Sequence, residues 1–307
     1  SIFNNEKIIQ YFESLGVALK EEDKGRMFPV SNSAKEVVQV LINELHKQKV
    51  EIRKETPVEA IDYQINNEPH TIILKDRNTI QAKAIIIASG GKSVPQTGST
   101  GDGYAWAKKA GHTITDLYPT EVPLTSQEEF IKNRTLQGLS LRDIAISVLN
   151  PKGKIIKTHR WDIIFTHQGI SGPAALRLSQ FVVKVLKKAK SNEVTITIDC
   201  FPDHNEEEIF QKLIKLSKES PKKAIKSVWK GIVPERYLHF LLERAEIPLD
   251  ITFDHLPKAN VRTLATLLKA FPVAVNGTLP IEKAFITGGG VSLKEIVPNT
   301  MESKKMP

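Results

Sequence analysis

Between residues 84 and 112 the chain reads AIIIASGGKSVPQTGSTGDGYAWAKKAGH, and here residue types and spacing first suggest chemistry. Residues 84–88 form a short apolar run without alternation, the pattern of a strand covered on both faces, as in a parallel sheet. Ser89, Gly90 and Gly91 follow at once, so the main chain must turn sharply. Gly98, Gly101 and Gly103 come next, ahead of a helix-like segment, 104–110, that Asp102 is placed to cap. In open α/β sheets, ligands bind beyond the carboxyl ends of the strands. Glycines there let the backbone approach a large flat or phosphorylated ligand and leave N–H groups free to bond it. A plain tight turn would use the same glycines, and composition alone leaves both readings open.

A second constellation is His167, Gly169, Ser171 and Gly172, followed by Pro173, a residue suited to the first turn of a helix. The arrangement aims free N–H groups and a helix dipole at a pocket that could hold a substrate carbonyl oxygen. His167 is the candidate proton donor beside it; a histidine bonding the loop backbone is the other reading. His112, His159, His204 and His255 show no metal-ligand spacing, so no metal is expected. No serine sits in a GxSxG elbow, which argues against a hydrolase.

The elements that must position these groups follow from periodicity. Residues 4–15 carry an apolar face at helical spacing, and Ser33 with Glu36 forms a capping box that opens a second helix to about Lys47. Residues 27–30 read as a loop around Pro29, while 50–53, 58–63 and 71–75 read as strands leading to 84–88. From Thr113 the character changes. A hairpin over 144–158, strands at 162–166 and 194–199 with a helix from Pro173 to about Lys187 between them, and a return of β pattern from Phe271 describe a β-rich part. Residues 205–270 read as short helices broken by prolines. Their Trp229, Tyr237 and Phe240 are expected in a core, with a lid over substrate as the alternative.

At 307 residues the chain can hold two or three cores. Its apolar runs fall short of a bilayer span, so no membrane association is expected. The single Cys200 rules out an internal disulfide framework, suits a reducing cytoplasm and fits a small buried hydrophobe. The net charge of +8 reads as a solvated basic face. With only 7% aromatic residues, composition argues against a nucleic-acid groove.

Six collinear segments, GRMFPV at 25–30, residues 88–112, PTEVPL at 119–124, LQGLSLRD at 136–143, FTHQGISGPAALRLS at 165–179 and 284–307, resemble the BaiN-type (YhiN-like) family of bacterial NAD(P)/FAD-dependent oxidoreductases. The resemblance covers essentially the whole chain. It implies an α/β fold: a partial FAD/NAD(P)-binding Rossmann-like domain (1–115 with 287–307), an inserted β-barrel-like domain (116–202 with 271–286), and a helical insertion within that (203–270). It implies hydride transfer from NAD(P)H through FAD to a small organic acceptor, a conjugated enone among the candidates. It places Val58 at the strand edge that meets adenine. Ala88, Ser89, Gly90 and Gly91 match the family's ATGG-like turn, and Lys92, Ser93, Pro95, Thr97 and Gly98 continue that cofactor loop. Gly288, Gly289 and Gly290 match a loop beside the flavin ring; a β turn between 285–287 and 291–293 is the alternative. The family's GxGxxG unit and its closing GLYFCGE…GGYN segment have no counterpart here. The chain is therefore expected to be an internal fragment that binds FAD weakly or not at all. The rival reading is a non-catalytic basic module that engages RNA or a protein.

Overall fold

The computed structural model describes residues 3–65 and 68–306. It divides into two compact units, one made of Ser1–Ile87, Ala105–Thr113 and Val291–Pro307, the other of Ala88–Tyr104 and Ile114–Gly290.

In the first unit, α1 (Asn5–Ser14) starts where Asn4 accepts the Lys7 amide at 3.0 Å. β1 (Leu19–Glu22) and β2 (Arg26–Pro29) form an antiparallel hairpin, Leu19 opposite Pro29, where the sequence suggested only a loop. Pro29 ends that strand, a place where its missing N–H costs no ladder bond. α2 (Ala34–Lys47) is capped by Ser33, but the Glu36 carboxylate bonds Ser31 instead of the cap backbone, so half of the capping box forms. β3 (Val58–Asp62), β4 (His70–Leu74) and β5 (Thr79–Ala82) make an antiparallel meander, with the register shifting between Val58 and Ala60.

Two expected strands are absent. Residues 50–53 and 84–88 are irregular, and Ile86 is 92% exposed. A strand exists only where a neighbour completes its ladder; among the described residues neither stretch has one. The strand registers found are all antiparallel. α3 (Asp102–Lys109) follows, with Asp102 as its first helical residue rather than its cap; the Asp102 carboxylate accepts the Thr100 hydroxyl at 2.7 Å.

After its loop at 88–104, the second unit continues with β6 (Ile114–Thr120), β7 (Leu124–Thr125) and the short α4 (Glu129–Lys132). β8 (Ser140–Leu149) and β9 (Ile155–Phe165) form the expected hairpin, longer than its periodicity suggested. Asn150 closes its turn by accepting the Lys152 and Lys154 amides at 2.9 Å each. β10 (Gly169–Ser171), α5 (Pro173–Ala189), β11 (Val194–Asp199), the helices α6 (Glu206–Glu219), α7 (Ile225–Val228), α8 (Glu235–Arg244) and α9 (Lys258–Ala270), then β12 (Phe271–Val275), β13 (Gly277–Thr278) and β14 (Ile286–Val291) complete it. Seven strands form one sheet in the order β12-β11-β8-β9-β10-β7-β13, and β14 pairs with β6.

α5 lies on this sheet through Ala174, Ala175, Leu178 and Val182, all fully buried. The two alanines at its start let the helix approach closely. α6 begins with a complete capping box, Asn205 with Glu208. Trp229 is fully buried and its indole N–H donates to Ser217 Oγ at 3.1 Å. Tyr237, Phe240, Phe130, Phe165 and Phe271 pack ring against ring, so the helices and the sheet share one apolar core. These aromatic residues of the helical stretch are core, not lid.

Candidate functional site

The glycine-rich loop and the triple glycine, almost two hundred positions apart, meet in the second unit. Thr287, in β14, makes the junction. Its Oγ1 accepts the Lys92 and Ser93 amides at 2.8 and 3.0 Å and is hydrogen-bonded to the Ser93 hydroxyl at 2.8 Å. Gly91 permits this seat: a Cβ there would lie 2.4 Å from that same oxygen. Gly90, at φ +74, would set a Cβ 2.7 Å from Ser99 Oγ.

The loop thus pinned is strained and under-bonded. Val94 sits at φ 51, ψ 57, a left-handed conformation that a β-branched side chain resists. Pro95 and Thr97 form a single helical turn that ends at Gly98, whose φ is +98 and beside which a Cβ would find open space. Among the described residues the Gly90 and Gly91 amides donate to no protein acceptor, and the buried Ser89 Oγ has no partner. Free amides and an orphaned hydroxyl around glycines are what a flat or phosphorylated ligand would satisfy. Lys92 is exposed, and its side chain lies against Gly101.

Gly288, Gly289 and Gly290 lie inside β14, neither in a loop nor in a turn between strands. A Cβ on Gly288 would be 2.5 Å from the Tyr118 ring, and one on Gly289 would be 2.1 Å from the Asp116 carbonyl oxygen. Their smallness lets β14 close on β6. Gly290, at φ +121, faces the Tyr104 ring.

Tyr104 is a residue that sequence reasoning passed over. Its hydroxyl would be 3.2 Å from a Cβ on Gly91, and its ring borders Gly101 and Gly290. Burial pushes its phenol pKa up, so it remains an O–H donor at neutral pH. The available cue was an aromatic residue directly after Gly101 and Gly103. Thr287 gave no such cue.

The second constellation is differently built. His167 is exposed in the turn between β9 and β10. The bracing of that turn falls to Thr166, whose hydroxyl accepts the Gly169 amide at 3.1 Å; the histidine ring makes no hydrogen bond among the described residues. Gly169 and Gly172 answer to packing, since Cβ atoms there would lie 2.1 Å from Leu124 O and 2.7 Å from Ile163 Cα. Ser171 pairs with Ile164 in the sheet. Val58 belongs to the first unit, half-buried at the start of β3 opposite Leu74. A groove of about 440 Å³ in the second unit is lined by other residues, Arg236, His239, Phe240 and Glu243 among them.

Residues 118–286, more than half of the chain, match the family described as the HI0933-like protein barrel and H2TH domain. The chain belongs to this family of FAD-dependent oxidoreductases, the one its six segments resemble. It is 29% identical over 306 residues to a ribosomal RNA dihydrouridine synthase of Haemophilus influenzae, covering 99% of this chain and 71% of the relative. It is 26% identical over 303 residues to a 3-dehydro-bile acid delta(4,6)-reductase of Clostridium scindens, covering 98% and 71%. A ribosomal RNA dihydrouridine synthase of Escherichia coli is 26% identical over 293 residues, covering 95% and 68%. Among the described residues no helix is long and apolar enough to cross a membrane.

Proposed function

We propose that this polypeptide is part of a flavin-dependent reductase that saturates a carbon–carbon double bond conjugated to a carbonyl, and that its substrate is a uridine in structured RNA. The names of both kinds of relative describe that chemistry. Dihydrouridine is uridine with its C5=C6 bond reduced, next to the C4 carbonyl; a 3-dehydro, delta(4,6) compound carries double bonds conjugated to a ketone. The RNA reading departs from the expectation that composition raised, and it rests on two relatives rather than one.

The observation that carries the cofactor reading is the ledge pinned by Thr287. Bound FAD would supply hydride, with NAD(P)H as the reductant that reloads it. This chain would hold the cofactor through Ser89 Oγ and the Gly90 and Gly91 amides, with Gly98 leaving room for close approach; Val58, in the first unit, is the residue that the family resemblance assigns to adenine. Lys92, Pro95 and Thr97 shape the loop. Two groups could deliver the proton that completes the reduction. Tyr104 stands at the ledge as a neutral phenol, and His167 stands exposed at the turn before α5, near Gly169, Ser171 and Gly172.

The test is a flavin titration of residues 1–307 and of the same residues carried between the flanking segments of the Haemophilus relative. Flavin bound by either form, and weakened at least tenfold by Gly91→Leu, supports the reading; flavin in neither form overturns it. In a form that reduces uridine, Tyr104→Phe and His167→Gln identify the donor: the right one lowers turnover at unchanged flavin content.

A further inference from the structure

We propose that the face formed by β6, β9 and α5 is the surface on which the phosphate backbone of the RNA substrate docks. This rests on the reading of RNA as substrate. Three cations stand on aromatic rings there. The Arg177 guanidinium lies 4.7 Å from the Trp161 ring centroid, Lys157 Nζ lies 5.7 Å from that of Phe181, and Lys184 Nζ lies 5.7 and 5.8 Å from those of Tyr118 and Phe181. None of the three has a carboxylate within ion-pair distance among the described residues. On α5, positions 177, 181 and 184 share one helical stripe; on β9, 157, 159 and 161 share one side of the strand.

A lysine or arginine held over a ring keeps its N–H donors pointing outward with less freedom to lose. Fixed cations with no carboxylate beside them suit a polyanion better than a solvated surface does; Lys184 Nζ also donates to Gln180 Oε1 at 3.3 Å, a neutral acceptor that leaves its charge uncompensated. The rings are themselves largely covered, so they serve here to set the cations rather than to stack bases. His159, also packed on Phe181, registers the same positive field: burial, then Lys157 and Arg177, lower its pKa. Two carboxylates border the face. Asp116 is engaged by Lys187, and Glu121 is partly buried, with its pKa raised by that burial against the pull of Arg177.

Continuity with the ledge selects this face over other lysines. The Tyr118 ring that supports Lys184 is the ring that Gly288 packs against. A strand of RNA lying on Lys184 would therefore run beside the ledge, where a base turned out of it could meet the cofactor loop.

The test uses the full chain and a structured RNA fragment, with affinity measured against salt. K157Q/R177Q/K184Q is expected to bind at least tenfold more weakly at moderate salt, with the slope of log affinity against log salt shallower by about 2. The control K218Q/K222Q/K223Q, three other unpaired lysines of the same unit, is expected to change neither. K157Q/K184Q keeps the Arg177–Trp161 stack and is expected to show a smaller loss in the same direction, so the test survives if the triple variant does not fold. RNA bound equally well by wild type and both face variants overturns the face and leaves the RNA reading standing. Equal losses in face and control variants overturn the face as well. No RNA binding by wild type at low salt removes the RNA reading and the face with it. Tighter binding of polyglutamate than of RNA, lost in K157Q/R177Q/K184Q, overturns the proposal in favour of an acidic protein.

Discussion

Thr287→Val removes one oxygen and keeps the shape of the side chain, so it isolates the pin of the ledge. That oxygen accepts the amides of Lys92 and Ser93 and bonds the Ser93 hydroxyl. Lys92 is exposed, and water can replace its lost acceptor for about 0.5 kcal/mol. Ser93 is only 8% exposed, and its stranded polar groups should cost about 2 kcal/mol. Together the loop should lose about 2–3 kcal/mol of docking, a rise in local opening of roughly 30- to 140-fold at 1.4 kcal/mol per tenfold. Amide hydrogen exchange measures this directly: Lys92 and Ser93 should exchange faster by that factor. The Thr97 and Gly98 amides donate within their own turn, to Val94 and Pro95, and should hardly change. Thr287→Ser keeps the oxygen and should restore most of the protection. Wild-type exchange at Ser93 in Thr287→Val, or equal loss in Thr287→Ser, would refute the assignment of Thr287 as the pin.

Three further outcomes are expected. Val94→Asn, which tolerates the left-handed conformation, should leave stability unchanged or raise it by about 1 kcal/mol in chemical denaturation, although it removes apolar atoms. Burial, followed by the charge of Asp199, pushes the Cys200 thiol up to about 12, so folded protein should react slowly with an aromatic disulfide at pH 8 and stoichiometrically once unfolded. The Glu295 carboxyl is held below its usual range first by the Thr113 amide, with help from the Thr113 hydroxyl, His112 and Lys305. A lowered carboxylate stabilises the fold above its unfolded pKa and stops doing so as pH falls through the folded one. Exchange at the Thr113 amide should therefore accelerate under acid below the ordinary glutamate range, and Glu295→Gln should flatten that dependence.

What the sequence made legible was local. The Ser33 cap, the turn at Asn150 and the helical runs of α1, α2 and α5 depend on neighbours within a few positions, and each formed where its pattern lay. The ledge was half legible. Its glycines announce a close approach, but the oxygen that they approach belongs to Thr287, which has no local signature. The run at 84–88 shows the converse. Its apolar composition reads as burial on both faces, yet burial is conferred by neighbouring strands, and no described segment flanks it. Glycines mislead in the same way: Gly169, Gly172 and Gly289 look like ligand approaches, and each makes room for another strand's backbone. Only geometry separates them from Gly98, beside which nothing packs.

The basic face was hidden by the same limit. Tyr118, Trp161 and Phe181 are too far apart in the chain to read as interleaved with cations, and a low aromatic content says nothing about where those rings gather. Folding brings β6 between the two features. One edge of β6 meets the glycines of β14, and its Tyr118 carries Lys184 on the helix above. If a polyanion is drawn to α5, the strand that registers its arrival is the strand on which the ledge is built. Docking of the proposed RNA substrate and the order of the loop at 89–98 should therefore be coupled, and RNA binding should slow exchange at Ser93 in the wild type but not in K157Q/R177Q/K184Q.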